Sequence, residues 1–177
     1  MTFHGTFDIL NLFLRKSRIS IVDIALHLCC HDICPNDTAM KGFFIRSTKV
    51  TPSVYFNPQK GLLDLRGKSS PENPLAFYNH IFENLDKFAE SEFEKLTTNA
   101  AFEYFNTSSS KCLFGLFKKI AAIEEKGKKI VINWYYEEGD DDMQEAGEDL
   151  SSFFDFEFIY HEIPEICVLG EENKLAS

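Results

Sequence analysis

The segment from Ala101 to Cys112, with the residues just before it, decides most of what this chain can become. Thr98, Ala100, Phe102 and Tyr104 alternate with Asn99, Ala101 and Glu103. This is the period-two pattern of a half-buried strand, and its aromatic rings suit a pleated surface. Asn106, Thr107, Ser108, Ser109 and Ser110 then follow as an unbroken polar run. Each is a good helix N-cap, because its side-chain oxygen can accept an otherwise unpaired backbone N–H. Beyond them Leu113, Leu116, Phe117, Ile120 and Ile123 recur at helical spacing, with Lys118, Lys119, Glu124 and Glu125 on the wet face. A strand therefore runs directly into a helix, and a cluster of hydroxyls sits at the positive end of that helix.

Two readings of this junction stand side by side. One is a surplus of helix caps, which Ser and Thr supply routinely. The other is an acceptor for phosphate, since a helix N-terminus favours an anion and Lys111 lies one turn in. No glycine-rich loop precedes the hydroxyls, so a bound nucleotide phosphate fits poorly. A covalent phosphate, which adds about −1.5 to −2 charges, fits better.

The flanking segments supply the rest of an α/β fold. Val54 and Phe56, a turn over Asn57 to Gly61, then Leu63 and Leu65 predict a β-hairpin. Asn73 followed by Pro74 is an N-cap with proline at the first helical position. Tyr78, Ile81, Phe82, Leu85, Phe88 and Ala89 make the buried stripe of the helix that follows, which is expected to run to about Phe93. After the hydroxyl-led helix, Gly127 reads as a left-handed stop. Ile130-Val131-Ile132 reads as a strand covered on both faces. Asp140 to Asp142 can cap a third helix with the stripe Met143, Ala146, Leu150 and Phe153. Phe156, Phe158 and Tyr160 alternate as a last strand, and the residues after Pro164 look like a loose tail. The predicted order is β-β-α-β-α-β-α-β, a parallel or mixed sheet with helices packed on it and right-handed crossovers. Binding sites in such sheets gather at the C-terminal strand edges.

Composition narrows the partners. With 177 residues and a formal net charge of −10, the chain is a poor match for nucleic acid or an anionic membrane. Five cysteines, an odd number, argue against a disulfide framework and for a reducing cytoplasm. Residues 1 to 39 differ in character from the rest. Phe7 to Leu14 is apolar, Arg15 to Arg18 basic, and Ile19 to Cys30 apolar but too short to span a bilayer. The stretch mimics a signal peptide without a small-x-small cleavage site. His27, Cys29, Cys30, His31 and Cys34 do not match a zinc spacing. The simplest expectation is that Met40 is the true start. Neither a metal nor a cofactor is expected. Glu137 to Asp142 reads as a solvated acidic loop and helix cap, since carboxylates without a substrate phosphate rarely hold Mg²⁺.

Several blocks resemble the SiaC family of bacterial regulatory phosphoproteins. They are Thr51-Pro52 to Phe56, Ser70-Pro71-Glu72-Asn73, Tyr104 to Lys111, and Asn133-Trp134-Tyr135-Tyr136-Glu137-Glu138 with its continuation through Asp142-Met143 and Glu145 to Glu148. The resemblance divides the chain into an N-terminal extension (1–44), a regulatory domain (45–162) and a C-terminal tail (163–177). It implies a fold similar to STAS domains, the anti-sigma-factor antagonists, and no enzymatic activity. It also implies a switch in which a dedicated Ser/Thr kinase phosphorylates Thr107 and a PP2C-type phosphatase reverses the step. Unphosphorylated, such a protein binds and activates a diguanylate cyclase, raising cyclic di-GMP and favouring aggregation or biofilm. The candidate partner-binding residues are Glu72, Asn73, Tyr104, Asn106, Ser108, Ser109, Ser110, Lys111, Trp134 and Tyr136, with Glu72 and Asn73 equally readable as cap chemistry and Trp134 as core or rim packing. The rival within regulation is a partner-switching antagonist that sequesters an anti-sigma factor. A small phosphate-handling enzyme built on Lys111 and the hydroxyls is a third class, but it lacks a base and a glycine loop.

Overall fold

The computed structural model describes residues 40–168. The expectations placed on residues 1–39, including the Met40 start and the His/Cys cluster, lie outside the described residues, as does the end of the tail. Among the described residues, six strands form one sheet in sequential order: β1 (Phe43–Ile45), β2 (Ser53–Asn57), β3 (Leu62–Ser69), β4 (Lys95–Phe105), β5 (Lys129–Glu137) and β6 (Glu157–Ile163). In the same residues three helices alternate with the later strands: α1 (Pro74–Ala89), α2 (Thr107–Glu124) and α3 (Asp141–Ser151). The first three strands pair antiparallel, and β3 to β6 pair parallel. The mixed α/β sheet is the predicted class, extended by β1, a three-residue edge strand too short to carry a periodic signal.

Local chemistry sets the turns. Asn57 caps a 3-10 turn over Pro58–Lys60, and Gly61 closes it at φ 56°. A Cβ at Gly61 would lie 2.0 Å from the Lys95 carbonyl oxygen, so both the left-handed backbone and the close approach demand glycine. Asn73 Oδ1 accepts from the Ala76 N–H at 3.1 Å, and Asp140 Oδ1 accepts from the Met143 N–H at 3.0 Å. The first helix stops at Ala89 rather than near Phe93, where Ser91 turns its hydroxyl back onto the Phe88 carbonyl.

Because β3, β4, β5 and β6 are adjacent, parallel and in sequence, right-handed crossovers place α1, α2 and α3 on the same face. The core lies between that face and the helices: Leu65, Ala100, Phe102, Ile132 and Trp134 pack against Tyr78, Ile81, Leu113, Phe117 and Met143. Ala100 is small where its register neighbour Trp134 is large.

Among the described residues the opposite face carries no helix, which corrects for them the expectation that β5 is covered on both sides. Polar side chains occupy it instead. The Asp64 carboxylate accepts two bonds from Arg66, at 2.7 and 3.1 Å, and one from Asn99 at 2.9 Å. Asn133 donates to Asn99 at 2.8 Å, and His161 Nε2 lies 3.2 Å from Asn133 Oδ1. The bond to Asp64 raises the Arg66 guanidinium above its ordinary value, and burial opposes that effect. Tyr135 stacks on His161 at 4.6 Å, and the Arg66 guanidinium lies 5.8 Å from the Tyr135 ring. The start of the tail also packs: Ile166 is buried, and its N–H donates to Glu137 Oε1 at 2.9 Å.

Candidate functional site

Sequential parallel crossovers bring the N-termini of all three helices to one edge of the sheet, beyond the C-terminal ends of β3, β4 and β5. Each terminus adds positive partial charge and free N–H groups. The centre of this edge is the β4–α2 junction. Asn106 is the α2 N-cap: its Oδ1 accepts from the Ser109 N–H at 2.8 Å, and its carbonyl accepts from the Ser110 N–H at 2.9 Å. Its own N–H donates to the Ser69 carbonyl at 3.1 Å, and the Ser69 and Tyr78 hydroxyls bond at 2.8 Å in the core. One residue of β3 therefore ties down both the start of α2 and the second turn of α1. Burial pushes the Tyr78 phenol well up, while the Ser69 hydroxyl pulls partly the other way.

The four hydroxyls of the run have separate fates. Thr107 and Ser108 are exposed in the first turn of α2. Ser110 is half-buried and donates to the Thr107 carbonyl at 2.9 Å. Ser109 is 0 % exposed, and its Oγ has no hydrogen-bond partner among the described residues. Ser109 cannot meet a partner protein or a kinase, which corrects its assignment to the contact surface.

Two grooves flank α2. One, of about 430 Å³, lies between α1 and α2 and is lined by Glu72, Asn73, Pro74, Leu75, Phe82, Ser108, Lys111, Cys112 and Gly115. The other, of about 440 Å³, lies between α2 and α3 and is lined by Phe105, Ser110, Lys111, Phe114, Ala146, Asp149, Leu150 and Phe153. Leu75 is 58 % and Phe153 66 % exposed, so each groove carries a large apolar side chain left in water. Phe153 thus departs from the buried stripe expected of α3. Burial raises the Cys112 thiol above its ordinary value, so it is not an activated nucleophile.

The structure therefore gathers Glu72, Asn73, Asn106, Thr107, Ser108, Ser110 and Lys111 around the start of α2. It does not bring Trp134 there as a contact. Trp134 is 0 % exposed, donates its indole N–H to the Met143 carbonyl at 3.0 Å and packs on Phe102 and Phe105. Tyr136 is half-buried against the core. Tyr104 falls with the inward-facing Phe102 by alternation yet is also a candidate partner contact, and it is 53 % exposed. The reason is a bulge: Gly67 is paired with Phe102 but Lys68 with Tyr104, so Glu103 is an extra residue. That slip reverses the alternation, turns Tyr104 outward and sends Phe105 into the core. The apolar groove walls were missed in the sequence. Their signal was position: Leu75 in the first turn of α1 and Phe114 in the third turn of α2 fall off the buried stripes of those helices.

Among the described residues no group of three or more His, Cys, Asp or Glu is placed to hold a metal ion. No helix among them is long and apolar enough to cross a membrane.

Comparison with known proteins agrees with this architecture. The model of a family described as SiaC family regulatory phosphoprotein matches residues 45–163, the whole sheet except the first two residues of β1 and all three helices. An uncharacterised protein of Pseudomonas aeruginosa strain UCBPP-PA14 is 24 % identical over 119 residues, which cover 67 % of this chain and 94 % of that relative. The structure of SiaC of Pseudomonas aeruginosa superposes with a TM-score of 0.66 at 22 % identity, covering 70 % of this chain and 100 % of its own. A chain from the crystal structure of diguanylate cyclase SiaD in complex with its activator SiaC, also from Pseudomonas aeruginosa, matches with a TM-score of 0.65 at 22 % identity, covering 68 % of this chain and 99 % of its own.

Proposed function

The chain belongs to the SiaC family of regulatory phosphoproteins, and from that membership and the β4–α2 edge we propose that it is a non-enzymatic phosphoswitch for a diguanylate cyclase. The observation that carries this reading is the pair of exposed hydroxyls, Thr107 and Ser108, at the start of a helix flanked by two grooves with exposed apolar walls. In the unphosphorylated form the surface binds the cyclase and activates it, raising cyclic di-GMP. A Ser/Thr kinase transfers the γ-phosphoryl group of ATP to Thr107 Oγ; ADP leaves, and the hydroxyl proton passes to the kinase's base. A PP2C-type phosphatase restores the hydroxyl by hydrolysis, releasing inorganic phosphate.

The energetics need no refolding. A phosphate at the first turn of a helix is favoured within its own chain by the dipole and the free N–H groups. In a complex it must be desolvated against a partner surface, and a coupling of about 1–3 kcal/mol changes affinity roughly 5–150-fold. Phosphopeptide mapping of the protein from its own cells, with binding of Thr107→Ala and Thr107→Asp to the cyclase, tests the proposal. The Ala variant is expected to stay bound and the Asp variant to bind weakly. Equal affinities, with no phosphate on Thr107 when the kinase is present, would leave Thr107 as a helix residue only.

A further inference from the structure

We infer that Lys111 is the residue through which phosphorylation is read: the phosphoryl group on Thr107 takes the Lys111 ammonium as an intrachain partner and withdraws it from the partner protein. This rests on the phosphoswitch reading above.

Three observations carry the inference. Thr107 lines neither groove, so a phosphate on it does not plug the surface where apolar side chains dock. Lys111 lines both grooves and is the residue their walls share. It lies four residues after Thr107 on an unbroken helix, where side chains three and four apart are neighbours and point back toward the N-terminus. That spacing puts Lys111 within reach of a group carried on Thr107.

The charge around Lys111 is open to such a contact. Among the described residues it makes no ion pair, whereas Lys119 is held by Asp86, Lys68 by Glu103 and Lys126 by Glu90. Glu72 lines one groove and Asp149 the other, without reaching ion-pair distance of it. Cys112 is the remaining titratable group in these walls. The partner segment this surface fits places a carboxylate over Lys111 and apolar side chains into the grooves on either side. A phosphate carrying about −1.5 to −2 charges outcompetes a single carboxylate for the same ammonium. Phosphorylation thus removes the one cation shared by the two grooves while leaving their apolar walls in place.

The test installs phosphothreonine at position 107 by expanded genetic code, in the wild-type chain and in Lys111→Gln and Lys111→Arg. The first readout is a ³¹P NMR pH titration of the protein alone. The second pKa of the phosphate, ordinarily about 6, is expected to be lower with Lys or Arg at 111 than with Gln. Identical titrations in all three overturn the inference. The second readout is the ratio of cyclase affinities without and with the phosphate. It is expected to fall about fivefold or more in Lys111→Gln, a loss within the usual range of coupling, and to return in Lys111→Arg. An unchanged ratio in Lys111→Gln also overturns the inference. A ratio of one in the wild-type chain refutes the phosphoswitch itself, and the ³¹P titration still decides the Lys111 contact.

Discussion

Gly147 is a helical glycine whose replacement by alanine is expected to harm the protein, against the usual trend. In an exposed helix, alanine is favoured over glycine by about 1 kcal/mol. At Gly147 a Cβ would lie 2.5, 2.7 and 2.8 Å from three atoms of the Trp134 indole. That ring cannot step aside, because it is fully buried and held by its N–H bond to the Met143 carbonyl on the same helix. The misfit must be absorbed by moving α3 off β5. Overpacking of this kind costs about 1–3 kcal/mol, and three contacts on a rigid ring place it at the upper end. The net destabilisation is therefore about 2 kcal/mol, or roughly 6–10 °C in Tm for a domain of this size. Gly115 provides the control. It is also helical, but its Cβ would meet only Phe82 Cζ at 3.5 Å, an ordinary contact. Gly115→Ala is expected to stabilise by about 0.5–1 kcal/mol. Thermal and urea unfolding of both variants decides the matter. A Gly147→Ala protein as stable as wild type would refute the claim that α3 is seated on Trp134 through a missing side chain.

Other substitutions probe the polar groups. Ser109→Ala replaces a buried, unpartnered hydroxyl with a methyl, so its stability by urea titration is expected to match or slightly exceed wild type. Binding to the proposed cyclase partner should be unchanged. Asp64→Ala removes the acceptor of Arg66 and Asn99 on the open face and is expected to cost about 2–3 kcal/mol, read by the same titration. The Tyr78 phenol titrates above its ordinary 10.0 because burial disfavours the phenolate. The unfolded chain therefore releases that proton first, and the stability this group contributes is intact below pH 10 and lost as pH rises above it. Tyr78→Phe should flatten that alkaline loss in a pH series of unfolding midpoints, at about 1 kcal/mol lower stability at neutral pH.

What the sequence made legible was local. The Asn73-Pro74 start, the Asn57 to Gly61 turn, the Asp140 cap and the α2 stripe each depend on residues within a few positions of one another, and each is present. What it hid depends on neighbours far along the chain. Trp134 is interior because Gly147 and Ala100 leave room for it, and neither can be assigned to it by spacing. Tyr104 faces outward because β4 has one residue more than β3 across the bulge, a count that exists only once the two strands are paired. Val131 suggested a doubly covered strand because an apolar run looks the same whether one face is covered or two. The polar ladder from Asp64 to His161 closes that face with residues drawn from β3, β4, β5 and β6.

The same long-range ties argue that the proposed switch would work on a stiff platform. Ser69 holds the α2 cap through its carbonyl and α1 through its hydroxyl, and Asn106 spends its side chain on the Ser109 N–H. Moving the start of α2 would break all three contacts within a packed core, where arrangements do not deform continuously. A charge added at Thr107 has no such lever, because Thr107 is exposed and outside both grooves. Amide chemical-shift changes on installing phosphothreonine are therefore expected within residues 106–112 and the facing segment at 70–75, the loop before α1 and the start of that helix. Asn99, Asn133 and His161 on the open sheet face should keep their positions in the spectrum. Shifts spreading through that ladder would mean that the sheet rearranges, and the switch would then be conformational rather than a local exchange of charge.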